Sequence, residues 1–310
     1  MQVSTQPLAP FGRELLSVEV DTNLSHKAPL MFRLVHCLME AGCVAPQRRE
    51  LAELCFDEAL TNAMLHGNAL DPAKKVRVQL FCDEGRWGAI MEDEGQGFTP
   101  PPIAEEPDEE TLLADFGRGI LVMDAYLDEL LYSERGNRLL MVRSRDPEAR
   151  PGQTPAAEAP AYQPPEALDF EEEPAAAAGA LAKEGAPAAA SAQESPTFAA
   201  LRREGEVGVI EVLVDRLDDA NVDKLRAEAG ALAEDCRWLL FDLGPVRYIS
   251  SVVLGAFAGL AKRLRPNGGG VRVCAAQPMV LEVLKAARFD RIVHPQPDQA
   301  AALEHLRETT

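Results

Sequence analysis

Glu58 and Asn62 stand four residues apart in Glu58-Ala-Leu-Thr-Asn62, and on a helix that spacing puts a carboxylate and an amide on one face, one turn apart. Such a pair could take up a proton and hold a magnesium ion. Alone, the pattern reads more readily as a solvated polar face, and its company is what gives it weight. Asp93-Glu-Gly-Gln-Gly97 ends an apolar strand with a carboxylate beside Gly95 and Gly97. Backbone there can approach a flat ligand without a Cβ in the way, and the carboxylate could accept a hydrogen bond from an exocyclic amine such as that of adenine. Gly117-Arg-Gly119 then opens a helix, whose first amides and positive dipole end suit phosphate, with Arg118 adding charge. Far downstream, Tyr248-Ile-Ser-Ser-Val-Val-Leu-Gly255 puts Ser250 and Ser251 where a strand should turn into a helix. Serine is a favoured N-cap. A phosphate at that turn would also gain from the helix dipole and bring almost two negative charges to the surface. Both readings can hold together.

Elements that could position these groups are visible on either side. Leu15 to Val20 alternates as a strand, and Leu30, Met31, Leu34, Val35 and Leu38 recur at helical spacing up to Gly42. A second helix is expected from Pro46 to His66, stopping at Gly67. Val76 to Phe81 and Trp87 to Met91 read as a hairpin around Asp83-Glu-Gly-Arg86, and Glu129 to Ser133 and Arg138 to Val142 as two closing strands, with a Pro-rich acidic excursion at 99–111. His36 on its amphipathic helix reads as structural, and His66 as either a helix-end cap or a catalytic group.

Residues 146–198 are rich in Pro, Ala and acids with few large apolar side chains, a composition that cannot offset the entropy of folding, so they read as a linker. Its apolar island, Ala167-Leu-Asp-Phe170, is either a docking motif or incidental composition. The chain then alternates strands (207–214, 238–243, 271–275) with helices (219–233, 251–264, 278–287, 298–307), which argues for a sheet with parallel members. The expected architecture is α/β in two domains: residues 1–145, a linker at 146–198, and 199–310.

Composition narrows the function classes. With 310 residues and 46% apolar content the chain can build two cores. A net charge of −19 argues against general nucleic-acid binding, although eight acids between Glu158 and Glu194 sit in the linker. No run of about 18 apolar residues and no signal-peptide pattern is present, so a cytoplasmic protein without membrane contact is expected. Cys37, Cys43, Cys55, Cys82, Cys236 and Cys274 lack metal or disulfide spacing and read as reduced core thiols.

Taken together, residues 12–145 resemble the anti-sigma-factor serine kinases of the GHKL ATPase superfamily. The resemblance rests on the Glu58–Asn62 box with Leu65-His66-Gly67-Asn68 after it, the Asp93-x-Gly-x-Gly box and the Gly117-Arg-Gly-Ile lid. It implies an α/β sandwich with a mixed sheet, ATP and Mg2+ as cofactors, Glu58 as general base and Asn62 as magnesium ligand. By the same resemblance Asp93 would read adenine, Gly95 and Gly97 would shape its pocket, and Gly117, Arg118 and Gly119 would hold phosphates. The last strand carries Leu140 where the family often has a threonine near adenine. Histidine kinases, the competing descent, need a dimerisation helix with an acceptor histidine ahead of the ATPase domain, and the first 45 or so residues here are used by the domain itself. Residues 205–307 resemble the STAS domains of anti-sigma-factor antagonists, which those kinases phosphorylate. The match includes Val214-Asp-Arg-Leu-Asp218, the serine turn, Gly255, Gly268-Gly-Gly-Val-Arg-Val273 and Ala287-Arg-Phe-Asp-Arg-Ile292. Aligned on Leu254-Gly255, Ser251 takes the acceptor position, Ser250 that of an aspartate and Val253 that of a glycine.

The resemblances imply an ATP-dependent serine kinase of a partner-switching system, acting on its own STAS domain or a free STAS protein, with a sigma factor as a further partner and homodimerisation through the first domain. A non-catalytic ATP-binding adaptor that sequesters its partner is the alternative. A tether of about 50 residues spans on the order of 40 Å and gives an effective concentration approaching millimolar, so the two domains could meet without high affinity.

Overall fold

The computed structural model describes residues 2–99, 109–113, 117–152 and 198–309. The greater part of the Pro-rich excursion, and linker residues 153–197 with Ala167–Phe170, lie outside the described residues.

The first domain is a mixed six-stranded sheet: β1 (Gln2–Ser4), β2 (Arg13–Asp21), β3 (Lys75–Cys82), β4 (Arg86–Asp93), β5 (Glu129–Ser133) and β6 (Arg138–Ser144), in the order β1-β5-β6-β4-β3-β2. Only the β1–β5 pairing is parallel. Alternation along the strands assigns each face. Val76, Val78 and Leu80 of β3, with Met91, Leu139 and Met141, join the main core under the helices, whereas Phe81, Ile90, Leu140 and Val142 pack on the opposite face against Leu8 and Phe11. Helix α1 (Lys27–Glu40) buries Leu30, Met31, Leu34, Val35 and Leu38 as its spacing requires, while His36 is exposed and holds no core. Helix α2 (Arg49–Thr61) starts from a single 3-10 turn at Pro46–Arg48 and ends in a π-helical stretch, Asn62–Gly67, where one continuous α-helix was expected. Helices α3 (Glu109–Leu112) and α4 (Arg118–Tyr126) complete the layer. Asp146 folds back to accept from the Ala45 amide at 2.8 Å, and Ala149 is buried, so residues just past β6 pack on this domain.

The second domain has β7 (Ala199–Glu204) and β8 (Val207–Val212), a short parallel pair β9 (Arg216–Leu217) and β11 (Tyr248–Ile249), β10 (Trp238–Asp242) and β12 (Gly270–Cys274). Its main sheet runs β12-β10-β8-β7, with only β7 antiparallel to its neighbour. Around it lie α5 (Val222–Asp235), α6 (Ser251–Leu264), α7 (Pro278–Ala286), α8 (Asp290–Val293) and α9 (Gln299–Thr309). Strand β7 and helix α8 are additions to the sequence reading. All six cysteines are free thiols, and five are buried. Burial raises each pKa for which a shift is resolved, so these are inert thiols.

The two domains share one hydrophobic cluster, with α4 of the first packed on α6 and α7 of the second. Charged pairs surround that contact. Arg216 of the second domain pairs with the buried Glu53 at 3.0 Å and lies 3.8 Å over the Tyr248 ring, while Arg49 holds the other Glu53 oxygen at 2.6 Å. Lys27 pairs with Asp57 at 2.9 Å and crosses the boundary to Asp219. Burial works against its charge, but the two carboxylates hold its pKa above the ordinary value. Among the described residues no helix is long and apolar enough to cross a membrane.

Candidate functional site

A cavity of about 670 Å³ opens between the α2 end, the β4 and β6 ends, the start of α4 and the second domain. Glu58, Asn62, Asp93, Gly97, Gly117, Arg118 and Gly119 all line it, together with Arg226, Ser251, Val252 and Gly255 from the second domain. The residues singled out from sequence are therefore brought together, and Gly95 stands beside them in the Asp93 turn.

Glu58 is the centre of the arrangement. It lies on the last turn of α2, is buried, and accepts two hydrogen bonds from the other domain: from the Ser251 hydroxyl at 2.7 Å to Oε2 and from the Ser251 amide at 3.1 Å to Oε1. Burial pushes its pKa up to about 7, against the pull of the Ser251 hydrogen bonds, with the neighbouring Asp57 charge adding to the rise. A carboxylate with that pKa, touching a hydroxyl, is suited to general-base work near neutral pH. Gly119 makes the approach possible: a Cβ there would fall 1.9 Å from Glu58 Oε2.

Ser250 is the N-cap residue of α6 by position, yet its side chain makes no capping bond, and its buried Oγ has no partner among the described residues. Its neighbour Ser251, the first helical residue, turns its hydroxyl to Glu58. Capping by a serine side chain is thus not what this turn does.

At the other end of the cavity Asp93 closes β4 and accepts from the Gly95 amide at 2.8 Å, and burial raises its pKa. The backbone around it is pinned by Asn68, which is wholly buried and fully engaged. Its amide nitrogen donates to Thr22 Oγ1 at 2.8 Å and to the Lys75 carbonyl at 2.9 Å, and its oxygen accepts from the Glu94 amide at 2.8 Å. Gly97 has φ +79°, and a Cβ there would lie 1.9 Å from the Arg135 carbonyl. The Asp93 turn and the Arg135 turn pack as one unit, with Asn137 donating to the Asp93 carbonyl at 2.9 Å. Leu139 lines the cavity, whereas Leu140 faces the opposite side of the sheet among Ile90 and Leu131. Leu140, at the position where the family often has a threonine near adenine, therefore lies outside the site.

Gly117 begins α4 in the left-handed region, φ +94°, and apart from its chain neighbours no described residue lies within 4 Å of where its Cβ would stand. The buried Arg118 donates to the Leu112 carbonyl at 3.5 Å and rests against Gly255 of α6. Asn62 Nδ2 is buried with no partner among the described residues. A cavity of this size, with an orphaned amide, a carboxylate at a glycine turn and a glycine-led helix start, fits a nucleotide. Among the described residues no group of three or more His, Cys, Asp or Glu could hold a metal ion by itself. A cation here would rest on Asn62 and on oxygens of a bound nucleotide, as magnesium does in phosphate sites.

Sequence reasoning did not foresee Asn68 as a support, nor Lys27, Glu53, Arg216, Asp219 and Arg226 as residues of the domain boundary. Nothing in their local spacing separates them from ordinary surface charge.

Two stretches of the chain match different families of known proteins. Residues 22–143 match the family described as the histidine kinase-like ATPase domain, and residues 199–302 match the STAS domain family. The anti-sigma F factor of Clostridium perfringens (strain SM101 / Type A) is 32% identical over 103 residues, covering 31% of this chain and 74% of that protein. The anti-sigma F factor of Geobacillus stearothermophilus is 30% identical over 97 residues, covering 30% and 66%. Among solved structures, an anti-sigma factor antagonist from Mycobacterium paratuberculosis is 25% identical, with a TM-score of 0.33, over 38% of this chain and 98% of its own. The antagonist SpoIIAA in its unphosphorylated form is 18% identical, with a TM-score of 0.33, over 36% and 96%. The chain belongs, through its ATPase domain, to the anti-sigma F factor family, and joins to that domain a STAS domain.

Proposed function

We propose that this chain is a cytoplasmic, ATP- and Mg2+-dependent protein serine kinase of a partner-switching system, and that it phosphorylates its own STAS domain at Ser251. The observation that carries this reading is the 2.7 Å hydrogen bond from the Ser251 hydroxyl to Glu58. Bound ATP supplies the phosphoryl group, and ADP is the product that leaves. Glu58 accepts the Ser251 proton as the serine oxygen forms its bond to phosphorus. Asn62 holds the magnesium ion, Asp93 receives the adenine amine, and Gly117, Arg118 and Gly119 present backbone and charge to the phosphates. Such chemistry needs little from the protein beyond positioning and charge neutralisation, and the docked domains support both. Phosphate on Ser251 would stand against the Glu58 carboxylate, which favours separation of the domains after transfer. A sigma factor or a free STAS protein is the natural competitor for the exposed surfaces, and a homodimer through the first domain accords with the family.

The test is incubation of the full chain with labelled ATP and magnesium. Label is expected on the native protein and absent from Ser251→Ala and Glu58→Gln. A mixture of those two variants stays unlabelled if transfer is confined to one chain, and becomes labelled if one molecule serves another. Label that persists in Ser251→Ala places the acceptor elsewhere. Nucleotide binding with no label in any form leaves the chain a non-catalytic adaptor.

A further inference from the structure

Three arginines line the cavity, and they are engaged very differently. Arg118 is buried, turned to the Leu112 carbonyl and packed on Gly255. Arg138 is occupied by Glu92 at 2.9 Å and the Leu8 carbonyl at 3.0 Å. Arg226 comes from the other domain, one turn into α5. Its one ion pair among the described residues is to Asp223 at 3.1 Å, three residues back on the same helix, with side chains 50% and 90% exposed. An exposed pair of that kind holds its members weakly, so the guanidinium can exchange it for a stronger acceptor at small cost. The wall that Arg226 shares with Ser251, Val252 and Gly255 is also the wall that carries the hydroxyl facing Glu58. On the other side the cavity presents the carboxylates of Glu58 and Asp93, which do nothing to balance a polyphosphate.

We propose that Arg226 is a phosphate-binding residue of the nucleotide cavity, supplied by the STAS domain, so that the domain being modified also completes the site that modifies it. The inference rests on the nucleotide reading given above. The ligand class is a nucleoside triphosphate, recognised at its terminal phosphate. The acceptor wall is where the phosphate to be transferred must lie, and a planar guanidinium binds phosphate oxygens in paired fashion.

Equilibrium binding of fluorescent N-methylanthraniloyl ATP and ADP to the full chain, in the presence of magnesium, tests it. The expected result for Arg226→Ala is an ATP affinity lower by on the order of tenfold, the loss of one charge-assisted contact, with ADP affinity within about twofold of native. Arg226→Lys should recover only part of the loss. Asp223→Ala, which frees the guanidinium, should leave ATP affinity equal or higher. Arg226 is half exposed, so its replacement should not disturb folding, and an unchanged thermal midpoint verifies that. Native ATP affinity in Arg226→Ala, or an equal loss for ATP and ADP, overturns the assignment while leaving the nucleotide site intact. Failure of the native chain to bind either nucleotide would instead remove the nucleotide reading and this one with it.

Discussion

Glu58 Oε2 occupies the space that a side chain on Gly119 would need: a Cβ at that position would stand 1.9 Å from the carboxylate oxygen. The start of α4 and the end of α2 are thus fitted to each other around the absence of one methyl group. Gly119→Ala should push the carboxylate away from Ser251 and cut the rate of self-phosphorylation on the order of a hundredfold, the usual penalty for about an ångström of misplacement. Single-turnover labelling of the full chain measures it; a rate within threefold of native would show that Glu58 need not sit where it does.

The raised pKa of Glu58 has two opposite consequences with pH. As a base it works only when ionised, so the labelling rate should climb with pH and level off above about 7. Stability should run the other way. A carboxyl whose pKa rises on folding, from an ordinary 4.5 to about 7, keeps the protonated form in the folded state. Its contribution is complete below 4.5 and is lost as pH rises through 7, with a slope of at most about 1.4 kcal/mol per pH unit. Urea unfolding at intervals between pH 5 and 8, with native protein and Glu58→Gln, isolates the effect, since the glutamine should flatten the stability profile.

Glu53 is sealed at the domain boundary with Arg49 on one oxygen and Arg216 on the other. Arg216→Ala removes the cross-domain partner and the cover over Tyr248. A cost of about 1–3 kcal/mol is expected, below that of fully orphaning a buried carboxylate, because Arg49 remains. The labelling rate should fall as the docked population falls, and urea unfolding should separate into two transitions. A single transition at the native midpoint would count against a docked pair.

The two serines of the turn should behave oppositely. The Ser250 Oγ is buried with no partner among the described residues, so Ser250→Ala deletes an unsatisfied hydroxyl and should raise stability by about 1 kcal/mol with labelling intact. Ser251→Ala should abolish labelling. Phosphopeptide mapping of each variant distinguishes the two positions directly.

The site was legible in sequence wherever geometry is local. A four-residue spacing fixes Glu58 and Asn62 on one helical face, and the glycines of the Asp93 and Gly117 turns announce close backbone approach whatever lies around them. What failed was what depends on pairing or distant contact. Leu139 and Leu140 differ only in which side of the sheet they face, and a slip of one residue in aligning β6 exchanges them. Ser250 has the residue type and the position of a cap, but its hydroxyl makes no capping bond. Arg216 and Asp219 meet Glu53 and Lys27 of the first domain across more than 150 residues of chain, so no window of sequence contains both halves of either contact. The π-helical end of α2 was equally hidden: it leads into Asn68, whose side chain bonds to Lys75 and, farther off in sequence, to Thr22 and Glu94.

The contact between Ser251 and Glu58 within one chain also sets a stoichiometry. On the proposed chemistry each molecule holds one donor-site base and one acceptor, produced in equal numbers by a single act of translation, so fluctuations in expression cannot unbalance them. Each molecule can also fire once. Having done so it carries a durable mark of having met ATP in the docked state, and the population becomes a tally of such encounters, erased only by an activity supplied from outside the chain.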